Sequence, residues 1–435
     1  MEYPDCRRLR ELCSKVELYT QLQFEYGARQ AGRKIFLTAN NLAKLIGRIR
    51  ALPIDRVLAA NEPDTLSEIR WHRPEGPRTL WKKFDPAVYR DRVEGAMLAR
   101  FAGCTLGAPV EGWKVSEMED LARELGEAFP PEDYWSRVPR PLEKRYGVSL
   151  RGEYTRGGMD GVPVDDDIAY TLLGLLIVED FGPGFTVADV GRAWLKYLPM
   201  ACTAEDVALA NLKKGVPAEK AGEIDNPYCQ WIGADIRSDP WGYMAPGRPE
   251  LAAGMAWRDA FISHRRNGIY GEMFFSAAIA AAFAVDDPMA AVEIGLSEIP
   301  RDCSLAGAVR WALKLAPKVR GYRQARAAVD EKFAGMSHVH TINNACLTIF
   351  GLAIGGRDVT KVIGQTVAMG MDNDCTAATA GSIVGAVVGR RGVPRQWTRS
   401  FNNTVHSYLI GRRKFTIDGL VDRFAKQAKR VFAAK

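Results

Sequence analysis

Two short acidic stretches carry the chemistry in this chain. Asp165-Asp166-Asp167 opens an apolar run, Ile168 to Leu173, and Asp372-Asn373-Asp374 opens a run of small residues from Cys375 to Gly389. Each places carboxylates where a helix is expected to begin. Aspartates there favour the positive end of the helix dipole, and capping accounts for one of the three in the triplet. Three exceed what capping needs. Charge crowded into core-like sequence calls for a cation. The expected centre gathers Asp165, Asp166, Asp167, Asp372 and Asp374 around divalent metal, and magnesium suits because it prefers carboxylate oxygens and retains waters.

Other groups fall where a cleft would need them. Glu111 follows a helix break at Gly107 and Pro109, a position from which a side chain can project. In the stretch Trp231 to Tyr243, Gly233 lets a ligand approach backbone amides, Arg237 suits an anion, and aromatics such as Trp241 suit a base. A second stretch, Ser263 to Glu272, holds His264, Tyr270 and Gly271. A lone histidine beside a helix is more commonly structural, and the same holds for His338 and His340. The Pro- and Gly-rich segment from Pro130 to Pro163 has a length seen in lids over sites and equally in plain connections.

The elements that must position these residues read as helices. Leu9, Leu12, Val16, Leu18 and Leu22, then Ile35, Leu42, Leu45, Ile46 and Ile49, recur at helical spacing, so residues 1–91 are expected to form a helical extension. Their Arg and Lys faces read as solvated. Residues 92–435 are expected to form one catalytic domain. Its first helix, from Val93, carries small residues at close intervals, which admit another helix closely. The helix after Asp167 is too apolar to lie at a surface. The helix after Asp374 is thin enough to pack tightly or to bring its backbone near a ligand. An amphipathic helix over 416–434 closes the chain. No strand alternation of useful length is present, and the expected fold class is all-α.

Bulk properties exclude several functions. With 435 residues, 47% hydrophobic and 26% charged, the chain can bury a large core. No apolar run is long enough to cross a bilayer, and the N-terminus lacks a signal-peptide layout, so a cytoplasmic location is expected. The eight cysteines include no CxxC pair and read as reduced thiols, which argues against zinc. The net charge of +7 is spread out, without the dense basic run that nucleic-acid binding would need.

Assembled in order, these residues resemble the ADP-ribosylglycohydrolase family over roughly residues 92 to 430. The glycine-rich element ending in glutamate reads Gly103 to Glu111, the Thr-Asp-Asp element falls on Asp165-Asp166-Asp167, and the Asp-x-Asp-Thr element on Asp372-Asn373-Asp374-Cys375. The Gly-Ala-x-x-Arg ligand loop looks like Gly233-Ala234-Asp235-Ile236-Arg237, and Tyr270-Gly271 falls at a substrate element. The resemblance implies an all-α fold, two magnesium ions (or manganese), and cleavage of a glycosidic bond to ribose in ADP-ribosylated proteins or small molecules. Glu111 and Asp374 would then be catalytic, with Gly233, Ala234, Arg237, Trp241, His264, Tyr270 and Gly271 binding substrate. The chain departs from the pattern at Asp165 and Cys375, where threonines are expected, and at Cys104, where aspartate is common. A thiol is a poor magnesium ligand. These departures motivate two further readings: a nucleoside or small-molecule N-ribosidase, and an ADP-ribose-binding module without catalysis.

Overall fold

Small residues recur at every fourth position, Gly95, Ala99, Gly103 and Gly107, along one stripe of the helix Pro86–Gly107. The helix Asn373–Val388 carries a matching stripe that includes Gly381 and Gly385. A Cβ on Gly95, Gly103, Gly381 or Gly385 would lie under 3.0 Å from backbone of the opposite helix. Gly95 faces Gly385, Ala99 faces Gly381 and Gly103 faces Ala377, so the two helices run antiparallel along a backbone-to-backbone seam. Gly107, at one end of that seam, lies against Asn373 and Asp374. The exit of one helix is thereby fixed at the entrance of the other. That juxtaposition brings Glu111 to Asp372 and Asp374, residues some 260 positions away in sequence.

The computed structural model describes residues 3–28 and 30–433. It divides into two units, Met1–Ala60 with Ala334–Met336, and Asn61–Phe333 with Ser337–Lys435. In the first, the helices Arg7–Glu25 and Ala31–Arg50 lie against each other, and no residue of Arg7–Glu25 is buried. In the second, every residue of the helix Asn267–Ala282 is buried, including Asn267, Glu272 and Ser276 within its otherwise largely apolar run. The helices Pro249–Ala260 and Pro288–Leu296 pack along it. The final helix, Ile417–Ala433, buries Ile417, Leu420, Val421, Phe424, Ala428 and Val431, the apolar face its spacing implies.

The fold is all-α, with twenty α-helices among the described residues. Two antiparallel pairs accompany them, Lys144–Arg145 with Ser149–Leu150 and Thr404–His406 with Lys414–Thr416. Strands of two or three residues are too short to show alternation in sequence. Residues 61–91, grouped by the sequence reading with the N-terminal extension, sit within the larger unit. There the buried Glu62 accepts hydrogen bonds from Asn267 Nδ2 and Ser304 N, at 2.9 and 2.8 Å. Arg73 and Arg78 pair with the buried Glu298 at 2.5 and 2.9 Å.

Candidate metal centre

The aspartate triplet divides its work by residue. Asp165 is the N-cap of the helix Asp166–Phe181: its backbone is extended and its carboxylate accepts from the Asp167 N–H at 3.1 Å. Asp166 faces a cavity and accepts from the Tyr146 hydroxyl at 2.7 Å. Asp167 points the other way, towards Arg100 on the helix Pro86–Gly107. Arg100 is fully buried and pairs with Asp167 at 3.1 Å and Asp239 at 2.6 Å, while its Nε donates to Thr171 at 2.8 Å. One oxygen of Asp167 is thus held, and the other, Oδ2, has no hydrogen-bond partner. Asp372 Oδ1 and Asp374 Oδ1 are buried and unpartnered as well.

Three unpartnered carboxylate oxygens in one place are a reason to expect a cation. Ligand atoms of Glu111, Asp372 and Asp374 lie within 4.8 Å of one another, as do those of Asp167, Asp374 and Cys375, and those of Cys104, Asp165 and Asp167. The first grouping is all oxygen and fits a hard divalent ion. The other two contain a thiol. Burial, with the neighbouring carboxylates, pushes the Cys104 and Cys375 thiols well above their ordinary range, so they stay protonated and offer such an ion little. Burial likewise drives Asp165 and Asp167 up, opposed by Arg145 and Arg100 respectively, and burial with the Asp374 charge drives Asp372 up. The charge of Asp374, followed by burial, pushes Glu111 up to about 7 against the lowering effect of Arg145.

The groups open on a cavity of about 310 Å³. Glu111, Asp166, Asp372 and Asp374 form its acidic wall beside Arg145 and Tyr146, while Tyr170, Trp231, Ile232, Ile236 and Val339 supply most of the apolar lining. Asp165 and Asp167 stand behind that wall. Gly233 lines the cavity, but a Cβ there would fall on the carboxylate of Glu205. The close approach that requires glycine is made by an internal side chain.

The other residues expected to bind substrate lie away from the cavity, and the reason is a network of buried charge. Arg237 is 1% exposed and pairs with Asp259 at 2.8 Å, Glu272 at 3.3 Å and Glu205 at 3.5 Å. Its guanidinium also lies over the rings of Tyr170 and Trp194. Trp241 donates its indole N–H to Glu272 at 2.7 Å and stacks on Phe185. His264 meets Ser263 Oγ at 2.8 Å, which itself accepts from Arg237 at 2.9 Å, and burial holds its imidazole neutral. Tyr270 donates to the Pro63 carbonyl, Ala234 is fully buried, and Gly271 makes room for Asp235 and Thr341. Residues chosen for anion binding and base stacking thus pair mainly with internal carboxylates, a serine and backbone groups.

Sequence reasoning missed Arg145, Tyr146 and Glu205 as cavity residues. Arg145 and Tyr146 sit on a hairpin within the 130–163 segment noted for its length, but nothing distinguished Arg145 among 59 lysines and arginines. Glu205 lies in the first turn of the helix Thr203–Lys213, where an acidic residue needs no special explanation.

An all-helical fold with an acidic cavity at two helix N-termini defines a narrow class. A profile of the ADP-ribosylglycohydrolase family matches residues 85–432, and the chain belongs to that family. A solved structure described as an ADP-ribosylglycohydrolase-related protein complex is similar in fold, with a TM-score of 0.51 and 19% identity over 80% of this chain and 98% of that one. No curated protein matches the chain significantly.

Proposed function

We propose that the protein is a divalent-metal-dependent hydrolase that cleaves the glycosidic bond to ribose in an ADP-ribosylated substrate. The observation that carries this reading is the convergence of Glu111, Asp372 and Asp374 at one cavity, with buried carboxylate oxygens left unpartnered. Magnesium or manganese bound at the all-oxygen grouping would act as a Lewis acid and hold substrate hydroxyls and water in place. Glu111, at the cavity with its side chain 39% exposed, is placed to take a proton from water. The surrounding carboxylates stabilise the positive charge of an oxocarbenium-like transition state. The apolar wall of Trp231, Ile232 and Val339 gives the remainder of the ligand a surface to lie against.

A second reading, a nucleoside or small-molecule N-ribosidase, has an observation of its own. The cavity is at the small end for a ligand site, and Arg145 is the only arginine among its described lining residues, Arg237 being engaged internally. Assays of ADP-ribosylated arginine and serine peptides beside free nucleosides, with magnesium and then with chelator, separate the two. Turnover of peptides alone rejects the ribosidase. In either case Asp374→Ala should abolish turnover and weaken metal binding by at least about 100-fold. Calorimetry showing undiminished magnesium affinity in that variant would overturn the metal assignment.

A further inference from the structure

Arg145 takes up oxygens that a second metal ion would need. Its Nη1 donates to the Ala108 carbonyl at 2.6 Å and to Glu111 at 2.9 Å. Its Nη2 contacts Asp165 at 3.2 Å, Asp374 at 3.3 Å and the Tyr146 hydroxyl at 3.3 Å. The guanidinium lies 5.3 Å from the Tyr146 ring centre and 5.6 Å from that of Tyr154, and only 15% of the side chain is exposed. The hairpin that delivers it is braced on both sides. Arg151 donates to the Pro109 carbonyl and pairs with Glu143, and Tyr154 donates to the Val164 carbonyl. Five acceptors and two ring faces make a built cation site, with arginine as its occupant.

The consequence for the centre follows from which oxygens remain. Arg145 engages Glu111 Oε2, Asp165 Oδ2 and Asp374 Oδ2. Unpartnered and buried are Asp372 Oδ1, Asp374 Oδ1 and Asp167 Oδ2. The first two belong to the all-oxygen grouping, which can hold one ion. A second ion beside it would have to share Asp374 and then rely on Asp167 and the sulfur of Cys375, a poor donor for a hard ion. Paired metals bridge a common ligand about 3.5–4 Å apart, and of the two oxygens Asp374 would offer such a pair, the guanidinium already holds one.

We infer that Arg145 is a resident cation of this centre, standing in for a second metal, so that the native protein holds a single divalent ion. The inference rests on the metal reading above and departs from the expectation of two ions drawn from sequence. It also makes Arg145 a positioning residue, keeping Glu111 and Asp374 in register while one ion is bound.

The test is metal stoichiometry, measured on the full chain with Mn²⁺ alone by equilibrium dialysis, with circular dichroism to verify folding. The wild type should bind one ion per chain, and Arg145→Lys, which keeps the charge, should also bind one. Arg145→Met frees three carboxylate oxygens and should bind two, giving a spin-coupled manganese pair in electron paramagnetic resonance. Two ions in the wild type, or one in a folded Arg145→Met, overturns the inference and leaves the metal centre standing. No ion in any of the three overturns the metal reading itself. Should Arg145→Met not fold, the wild-type count decides alone: one supports the inference and two rejects it.

Discussion

Among the described residues, two arginines each face three carboxylates, and they do opposite things. Arg237 with Glu205, Asp259 and Glu272 is buried, with only Glu205 reaching the cavity, and tryptophan, serine and histidine groups take up neighbouring hydrogen-bonding positions. Arg145 with Glu111, Asp165 and Asp374 borders a cavity and leaves carboxylate oxygens unclaimed. Identical charge chemistry is structural in one place and open to a ligand in the other. What separates them is the support. Arg237 comes from a buried turn against fully buried helices, whereas Arg145 is carried by a hairpin at the surface of a cleft. Both clusters hold buried atoms without hydrogen-bond partners, so a buried ion cluster marks a binding site only where more than one of its carboxylates also lines a cavity.

The sharpest way to break this comparison is to remove Arg237. Arg237→Ala strands Glu205, Asp259 and Glu272 without their cation, and unfolding in urea should show a loss of about 3–5 kcal/mol. A change below about 1 kcal/mol would mean that the cluster is not structural. Next in size is a pH effect at Glu205, which burial raises to about 7 against the lowering influence of Arg237. Its folded value exceeds the unfolded one, so the folded state binds more protons between pH 4.5 and 7. Stability from this group is therefore present below about pH 4.5 and lost as pH rises through about 7. Glu205→Gln should remove the loss, gaining on the order of 3 kcal/mol relative to wild type between pH 4.5 and pH 8. Parallel denaturation curves for the two proteins at both pH values would contradict it.

Much of the open cluster was legible in the sequence, and the internal partners of the closed one were not, for the same physical reason. Asp166, Asp372 and Asp374 announced themselves because acids at the start of apolar helices have few internal uses. Gly103, Gly107 and the small residues after Cys375 signalled the seam that joins Glu111 to them. Arg237, Trp241 and His264 carry equally suggestive types, but their fate depends on Glu205, Asp259 and Glu272. Those three partners come from separate helices, a pairing that no local spacing reveals. Arg145 went unseen for a related reason. Its two-residue strand has no periodicity, and its role exists only once the hairpin folds over Ala108 and Asp374.

A milder probe sharpens the contrast from the side of Asp166. Tyr146 holds a left-handed backbone, φ 50°, at the tip of the hairpin, a conformation that costs a non-glycine residue on the order of 1 kcal/mol. Its hydroxyl donates to Asp166 and accepts from Arg145, so it orients one carboxylate of the cavity wall and the resident cation together. Tyr146→Phe keeps the ring against Arg145 and deletes only that hydroxyl. Metal affinity should fall by about tenfold, the size expected of an outer partner that aims a ligand. Folding stability should change by less than about 1.5 kcal/mol, the net value of a single hydrogen bond. A similar loss in both quantities would show that the hairpin is part of the scaffold, as Arg237 is. A loss in affinity alone keeps the two arginine clusters distinct.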